Sequence, residues 1–203
     1  MSGIIAFVHC SGASFNSDVI NRYIHTLVIP SLKYHKFIYM NSFIGLVMFH
    51  KGSMVPVNYD MVSEMKIEGN QIVYTGSITN FEILRDQLIG AGYSAKIQGE
   101  SDLILRLYET IGPSFITYLD GIFSFIIWDH HLQKVFSACD ALGINPLFYC
   151  ETINGFLIGT NVDTFLALSK EHSYQSKTKE AYVPLLRGHT LTIHRGKAII
   201  HAY

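Results

Sequence analysis

Ser2, directly behind Met1, is the residue with the greatest chemical potential in this chain. An N-terminal Ser, Thr or Cys attacks with its own side chain while its α-amino group serves as the neighbouring base. That chemistry requires removal of Met1, which a small side chain at position 2 permits. Cys10 would lead the chain only after cleavage of residues 1–9, and that cleavage would discard the apolar, strand-like run Gly3–His9. Cys10, Cys139 and Cys150 are an odd number of cysteines without metal spacing. The ten histidines include the adjacent pair His130-His131 and, along the last segment, His189, His194 and His201. None stands at i, i+4 on a helix beside a carboxylate, so no metal and no cofactor are expected.

The frame that must position Ser2 is apolar. Hydrophobic residues make up 49% of the 203 positions and charged residues 15%, which predicts a single compact domain over 1–203 with little disorder. Net charge is −1 and the 15 Lys and Arg are scattered, so no nucleic-acid partner is expected. No apolar run approaches the roughly 20 residues of a membrane span. The N-terminus lacks a basic flank followed by an apolar segment, so no secretory signal is read, and unpatterned cysteines suit a reducing cytoplasm.

Gly3–His9 reads as a central buried strand. Ser17 and Asp18 open a helix with a Val19, Ile20, Tyr23, Ile24, Leu27 stripe, ending before Pro30. Phe37–Tyr39 and Phe43–His50 read as strands, and Met65–Ile67 and Gln71–Tyr74 flank a hairpin signal at Glu68-Gly69-Asn70. Thr79-Asn80-Phe81-Glu82 has capping-box spacing before a helix that buries Phe81, Leu84 and Leu88. Ser101 is expected to cap a second helix whose buried face carries Leu103, Ile104, Leu107, Tyr108 and Ile111, stopped at Gly112-Pro113. Strands follow at Gly121–Trp128, Val135–Ala138, Leu147–Cys150 and Phe156–Gly159, the last two joined across Asn154-Gly155. Val162–Ser169 reads as a short helix and Ser173–Lys179 as a loop. Thr190–Ile193 and Ala198–Ala202 form a hairpin around Arg195-Gly196. Strands, central helices and more antiparallel strands imply a layered α+β arrangement rather than βαβ winding.

Several segments resemble one family in order and spacing. The opening Met1-Ser2-Gly3-Ile4 resembles the Met-Cys-Gly-Ile of class II glutamine amidotransferases, with Ser2 in the nucleophile's place. Thr75-Gly76-Ser77-Ile78-Thr79-Asn80 resembles the Asn-Gly-Glu-Ile-Tyr-Asn segment of the glutaminase domain of asparagine synthetase-type enzymes. Glu100-Ser101-Asp102 falls where that family has Asp-Thr-Glu. Leu119-Asp120-Gly121-Ile122-Phe123-Ser124-Phe125 and Trp128-Asp129 are similar to its Leu-Asp-Gly-Met-Phe-Ala-Phe and Trp-Asp. Ala138-Cys139-Asp140 and Gly143-Ile144-Asn145-Pro146-Leu147 resemble its Ala-Arg-Asp and Gly-Ile-Lys-Pro-Leu, and Gly188-His189 its Pro-Gly-His. The resemblance implies the Ntn-hydrolase αββα sandwich, two antiparallel sheets face to face with helices outside.

The resemblance also implies a site, and the chain departs from it repeatedly. Ser2 holds the nucleophile position; Thr75 and Gly76 hold the oxyanion-hole positions, with Thr75 where the family has asparagine. Ser77 and Glu100 hold the positions of the carboxylates that grip the substrate ammonium. No arginine occurs between Arg22 and Arg85 to clamp the substrate carboxylate, and Lys51 offers charge without a bidentate fork. Cys139 and Asn145 replace basic residues. The expectation is a degenerate glutaminase-like domain acting as a structural or partner-binding module. Its expected partner is an ATP-dependent amide-forming synthetase or a second copy of itself, since no Ser-Gly-Gly-x-Asp-Ser phosphate loop is present. The competing expectation is an amidohydrolase or amidotransferase that uses Ser2 after Met1 removal.

Overall fold

The computed structural model describes residues 2–10, 34–51, 69–93, 96–168, 175–177, 180 and 182–203. Alternating apolar positions organise the strands into two antiparallel sheets, because a period of two sends successive side chains to opposite faces. The first sheet takes β1 (Ser2–His9), β2 (Tyr34–Met40), β3 (Ile44–Lys51), β7 (Phe148–Thr152), β8 (Gly155–Gly159) and β9 (Val183–Pro184), ordered β2-β3-β1-β8-β7-β9. The second takes β4 (Gln71–Ile78), β5 (Gly121–Asp129), β6 (Lys134–Cys139), β10 (His189–His194) and β11 (Lys197–Ala202), ordered β11-β10-β6-β5-β4.

Ile4, Ala6 and Val8 of β1 meet Val73, Ile126, Trp128 and Leu191 of the second sheet in the inter-sheet core. The opposite parity of the second sheet, Ile72, Tyr74, Phe123, Phe125, Ile127 and Phe136, packs outward under helices α1 (Phe81–Gly90) and α2 (Glu100–Ile111). β5 is therefore apolar on both faces, as a strand buried on both sides must be. On the first sheet, Phe165 of the short helix α3 (Val162–Leu168) is buried beside Phe148 and Tyr182. The architecture is the expected α+β sandwich with helices outside.

The turn readings hold to within one residue. Arg195 and Gly196, at φ 50° and 72°, connect β10 to β11, whereas the β7–β8 turn falls one residue ahead of the expected Asn154-Gly155, at Ile153-Asn154, because Gly155 already pairs with Thr152 as the first residue of β8. His130-His131 lies in the β5–β6 turn. The helix expected from Ser17 and the strand Met65–Ile67 lie outside the described residues, as does most of Ser173–Lys179.

Both helix starts differ from expectation. Asn80 precedes α1, but no side-chain cap forms. Thr79 Oγ1 donates instead to the Asp120 carbonyl at 3.1 Å, and Asn80 Nδ2 donates to the Tyr118 carbonyl at 2.8 Å. Those side chains tie the β4–α1 turn to the segment ahead of β5, and this tertiary bond displaces the local cap. α2 begins at Glu100 with Gly99 at the N-cap position, so Ser101 falls inside the first turn, buried and without a hydrogen-bond partner. Ile111, expected on the buried face, is 44% exposed where α2 gives way to a 3₁₀ segment, Gly112–Tyr118.

β4 and β5 come unusually close at two glycines. A Cβ on Gly76, whose φ is +132°, would lie 2.1 Å from the Ile122 carbonyl oxygen. One on Gly121 would lie 2.2 Å from the Ser77 carbonyl oxygen. Both distances fall far inside van der Waals contact, against backbone that is already paired. Gly76→Ala should therefore lower the unfolding free energy by more than about 2 kcal/mol, read by urea denaturation. Unchanged stability would mean that the two strands part freely to admit a Cβ.

Candidate active site

Thr75, Gly76 and Ser77 are strand residues, because β4 runs past the expected Tyr74 to Ile78. They pair in register with Ser124, Phe123 and Ile122 of β5. Thr75 shares the inter-sheet parity of Val73 and is 6% exposed. Ser2 opens β1 in the facing sheet, its backbone opposite His50, and β1 packs against β4. Lys51 ends β3 opposite Tyr34 of β2.

Glu100 joins this end of β4 from the first turn of α2, where a negative charge suits the helix dipole. Its carboxylate is occupied by the strand. Tyr74 Oη donates to Glu100 Oε2 at 2.7 Å, the Ile78 backbone N–H donates to Oε1 at 2.8 Å, and Ser77 Oγ donates to Oε1 at 3.3 Å. Burial, then the hydrogen bond to Glu100, raises the Tyr74 phenol well above its ordinary range, so it remains a donor. The sequence-derived positions Thr75, Gly76, Ser77 and Glu100 are thus brought together, with Glu100 bonded within the protein.

Two residues that sequence reasoning gave no role complete the surroundings. Asp140 is fully buried, and its carboxylate accepts backbone N–H groups from Leu142 (3.0 Å), Ile144 (3.1 Å) and Asn145 (2.9 Å). This folds the Gly143-Ile144-Asn145 loop around one charge, compensated by three amide dipoles. The loop delivers Asn145 to β4: its Nδ2 donates to the Thr75 carbonyl at 2.9 Å, while Ser124 Oγ donates to the Asn145 carbonyl. An Asp followed within five residues by Gly and Asn was the available signal for such a turn. Cys139, in place of a basic residue, is a neutral buried thiol, its pKa pushed up to about 11 by burial and then by the Asp140 charge.

Among the described residues no group of three or more His, Cys, Asp or Glu is arranged to hold a metal ion, and no helix is long and apolar enough to cross a membrane. All three cysteines are free; Cys10 is exposed and the other two are buried.

If Glu100 braces α2 against β4, Glu100→Ala should cost about 2–3 kcal/mol of stability, since it strands a buried tyrosine hydroxyl and a backbone donor. Chemical denaturation checks this, and a variant as stable as the parent would show that the carboxylate is not a brace.

Comparison with known proteins agrees with this geometry. The sequence matches a family model described as a glutamine amidotransferase domain over residues 58–201. It is 32% identical over 96 residues to asparagine synthetase [glutamine-hydrolyzing] 3 of Bacillus subtilis, a stretch covering 47% of this chain and 16% of that protein. It is 38% identical over 112 residues to the asparagine synthetase [glutamine-hydrolyzing] of Gallus gallus, covering 54% and 19%. The matches thus span less than a quarter of the length of these relatives. The glutamine phosphoribosylpyrophosphate amidotransferase of B. subtilis superposes with a TM-score of 0.69 at 12% identity, over 100% of this chain and 49% of that one, which is a likeness of fold. With the family model matched over residues 58–201 and the fold agreeing, the chain belongs to the class II glutamine amidotransferase domain family.

Proposed function

We propose that this chain is a degenerate glutaminase-like domain, inactive by itself, that serves as a structural or partner-binding module for an ATP-dependent amide-forming synthetase. The observation that carries this reading is Glu100. At the position where the resemblance expects a free ligand for the substrate ammonium, both carboxylate oxygens bond to Tyr74, Ser77 and Ile78. Thr75, at the oxyanion position, brings a hydroxyl in place of an amide N–H, and losing one such donor typically costs about a hundred- to a thousand-fold in rate. Gly76 has a steric reason to be glycine that involves no substrate. Lys51 supplies a point charge in place of a bidentate arginine clamp.

The partner reading rests on surface and size. Leu142, Ile144 and Leu186 are 69%, 56% and 62% exposed, on loops that meet where Gly143 approaches Arg187. Exposed apolar patches of this kind mark interaction surfaces. The relatives named asparagine synthetase are far longer than the part this chain matches. A synthetase, or a second copy, is the partner that would cover this patch, and three free thiols suit a reducing cytoplasm.

A second reading has one observation in its favour. Ser2 heads β1, and β1 packs against β4, the strand of the facing sheet that carries Thr75 and Gly76. In that case Ser2 attacks an amide other than glutamine, with its own amine as base after Met1 is removed.

Ammonia release from glutamine separates the two readings, measured on protein whose Met1 removal has been established by intact mass. The degenerate reading expects no release above the Ser2→Ala background, and no normal glutaminase from Ser2→Cys, because Thr75 and the missing clamp remain. Robust turnover that vanishes in Ser2→Ala overturns it. Retention of Met1 throughout the native protein excludes the serine mechanism.

A further inference from the structure

Trp128 and Arg195 border a cavity at the other end of the sandwich. β5 sets Trp128 opposite Gln71, where β4 begins, while Gly76, near the end of β4, lies opposite Phe123. The cavity holds about 570 Å³ between the end of β1, the β5–β6 turn and the β10–β11 turn. That volume falls within the range of small-molecule sites. Its wall has two characters. Phe43, 41% exposed, stacks on the buried Trp128 with ring centroids 6.4 Å apart and planes 20° from parallel, so the Phe43 ring is the open aromatic face. Arg195 gives a cationic one, with His9, His131 and His194 polar beside it, and no Asp or Glu is among the described lining residues.

Two features of this wall are not accounted for by the fold. Trp128 is 2% exposed, yet its indole N–H has no acceptor, an arrangement that costs stability until an acceptor is supplied. Arg195 sits at φ 50°, in the left-handed region, at a hairpin position that Asn or Gly occupies with less strain. The turn thus holds a long cation at the cavity wall against its backbone preference.

We propose that this cavity binds a small molecule carrying an anionic group, carboxylate or phosphate, on a flat ring. The ring lies along Phe43, which Trp128 backs, and the anion meets the Arg195 guanidinium, a fork suited to two oxygens, beside the His194 imidazole. The site stands apart from Thr75 and Glu100, so its occupancy is independent of whether glutamine is hydrolysed.

Trp128 is the one tryptophan of the chain, so its emission reports on this cavity. Purified protein is titrated with phenyl phosphate and with benzoate, and with inorganic phosphate and benzyl alcohol as the separate halves of the ligand. The expected result is a saturable change in emission with at least one aryl anion, and affinity at least roughly tenfold weaker for each half alone. Arg195→Asn should weaken the aryl anion roughly tenfold while keeping its circular dichroism and unfolding midpoint, because Asn suits the left-handed turn. Arg85→Gln, on the outer helix α1, should leave binding unchanged. The stronger of phenyl phosphate and benzoate tells a phosphate ligand from a carboxylate. No saturable change with either aryl anion overturns the proposal, as does equal binding by Arg195→Asn or by benzyl alcohol.

Discussion

The close backbone approach of β4 and β5 is the constraint on which the rest of the second sheet depends. With Gly76 and Gly121 each facing a carbonyl oxygen barely more than 2 Å from where a Cβ would stand, the ladder from Gln71–Trp128 to Ile78–Gly121 has one admissible register. A slip by one residue would bring side chains onto those carbonyls and turn Phe123, Phe125 and Ile127 away from α2. The same register places Tyr74 toward α2 and Thr75 toward the facing sheet. Packing and site placement are therefore set by one pair of strands.

Around that pair, polar side chains serve the framework. Glu100 fastens α2 to β4, and Asp140 gathers a loop whose Asn145 fastens to Thr75. Asp120 and Asn80 tie the two turns at the end of the ladder. Tyr108 donates to Asp129 at 2.7 Å, joining the middle of α2 to the end of β5. Burial raises the Tyr108 phenol far above its usual range, and it stays a neutral donor on a charged acceptor. Loss of the bonds to Glu100, Asp140 and Asp129 would leave buried donors unsatisfied.

What the sequence disclosed followed from local physics. The apolar run of β1, the β7–β8 hairpin to within one residue and the left-handed pair Arg195-Gly196 are each written in a few neighbouring residues. So is the β5 run, apolar on both faces and therefore central. The misreadings share a different cause. Thr79 and Asn80 have the spacing of a cap, but their partners lie about 40 residues away at Tyr118 and Asp120. Ser101 looks like a cap until Glu100 is drawn to β4. The 3₁₀ segment Gly112–Tyr118 and the two-residue strand Val183–Pro184 are too short for any period to register. At the candidate site, resemblance supplied Ser2, Thr75, Gly76, Ser77 and Glu100, and four of these converge. The bracing role of Glu100 and the part played by Asn145 became legible only once α2 and the Asp140 loop had been placed beside β4.

If Glu100 braces β4, it is not available to receive a substrate. Glutamine binding, measured by saturation-transfer NMR or calorimetry on protein with Met1 removed, tests it most directly. The parent protein is expected to show no saturable glutamine binding. Saturable binding that disappears in Glu100→Gln, with the fold intact, would contradict it.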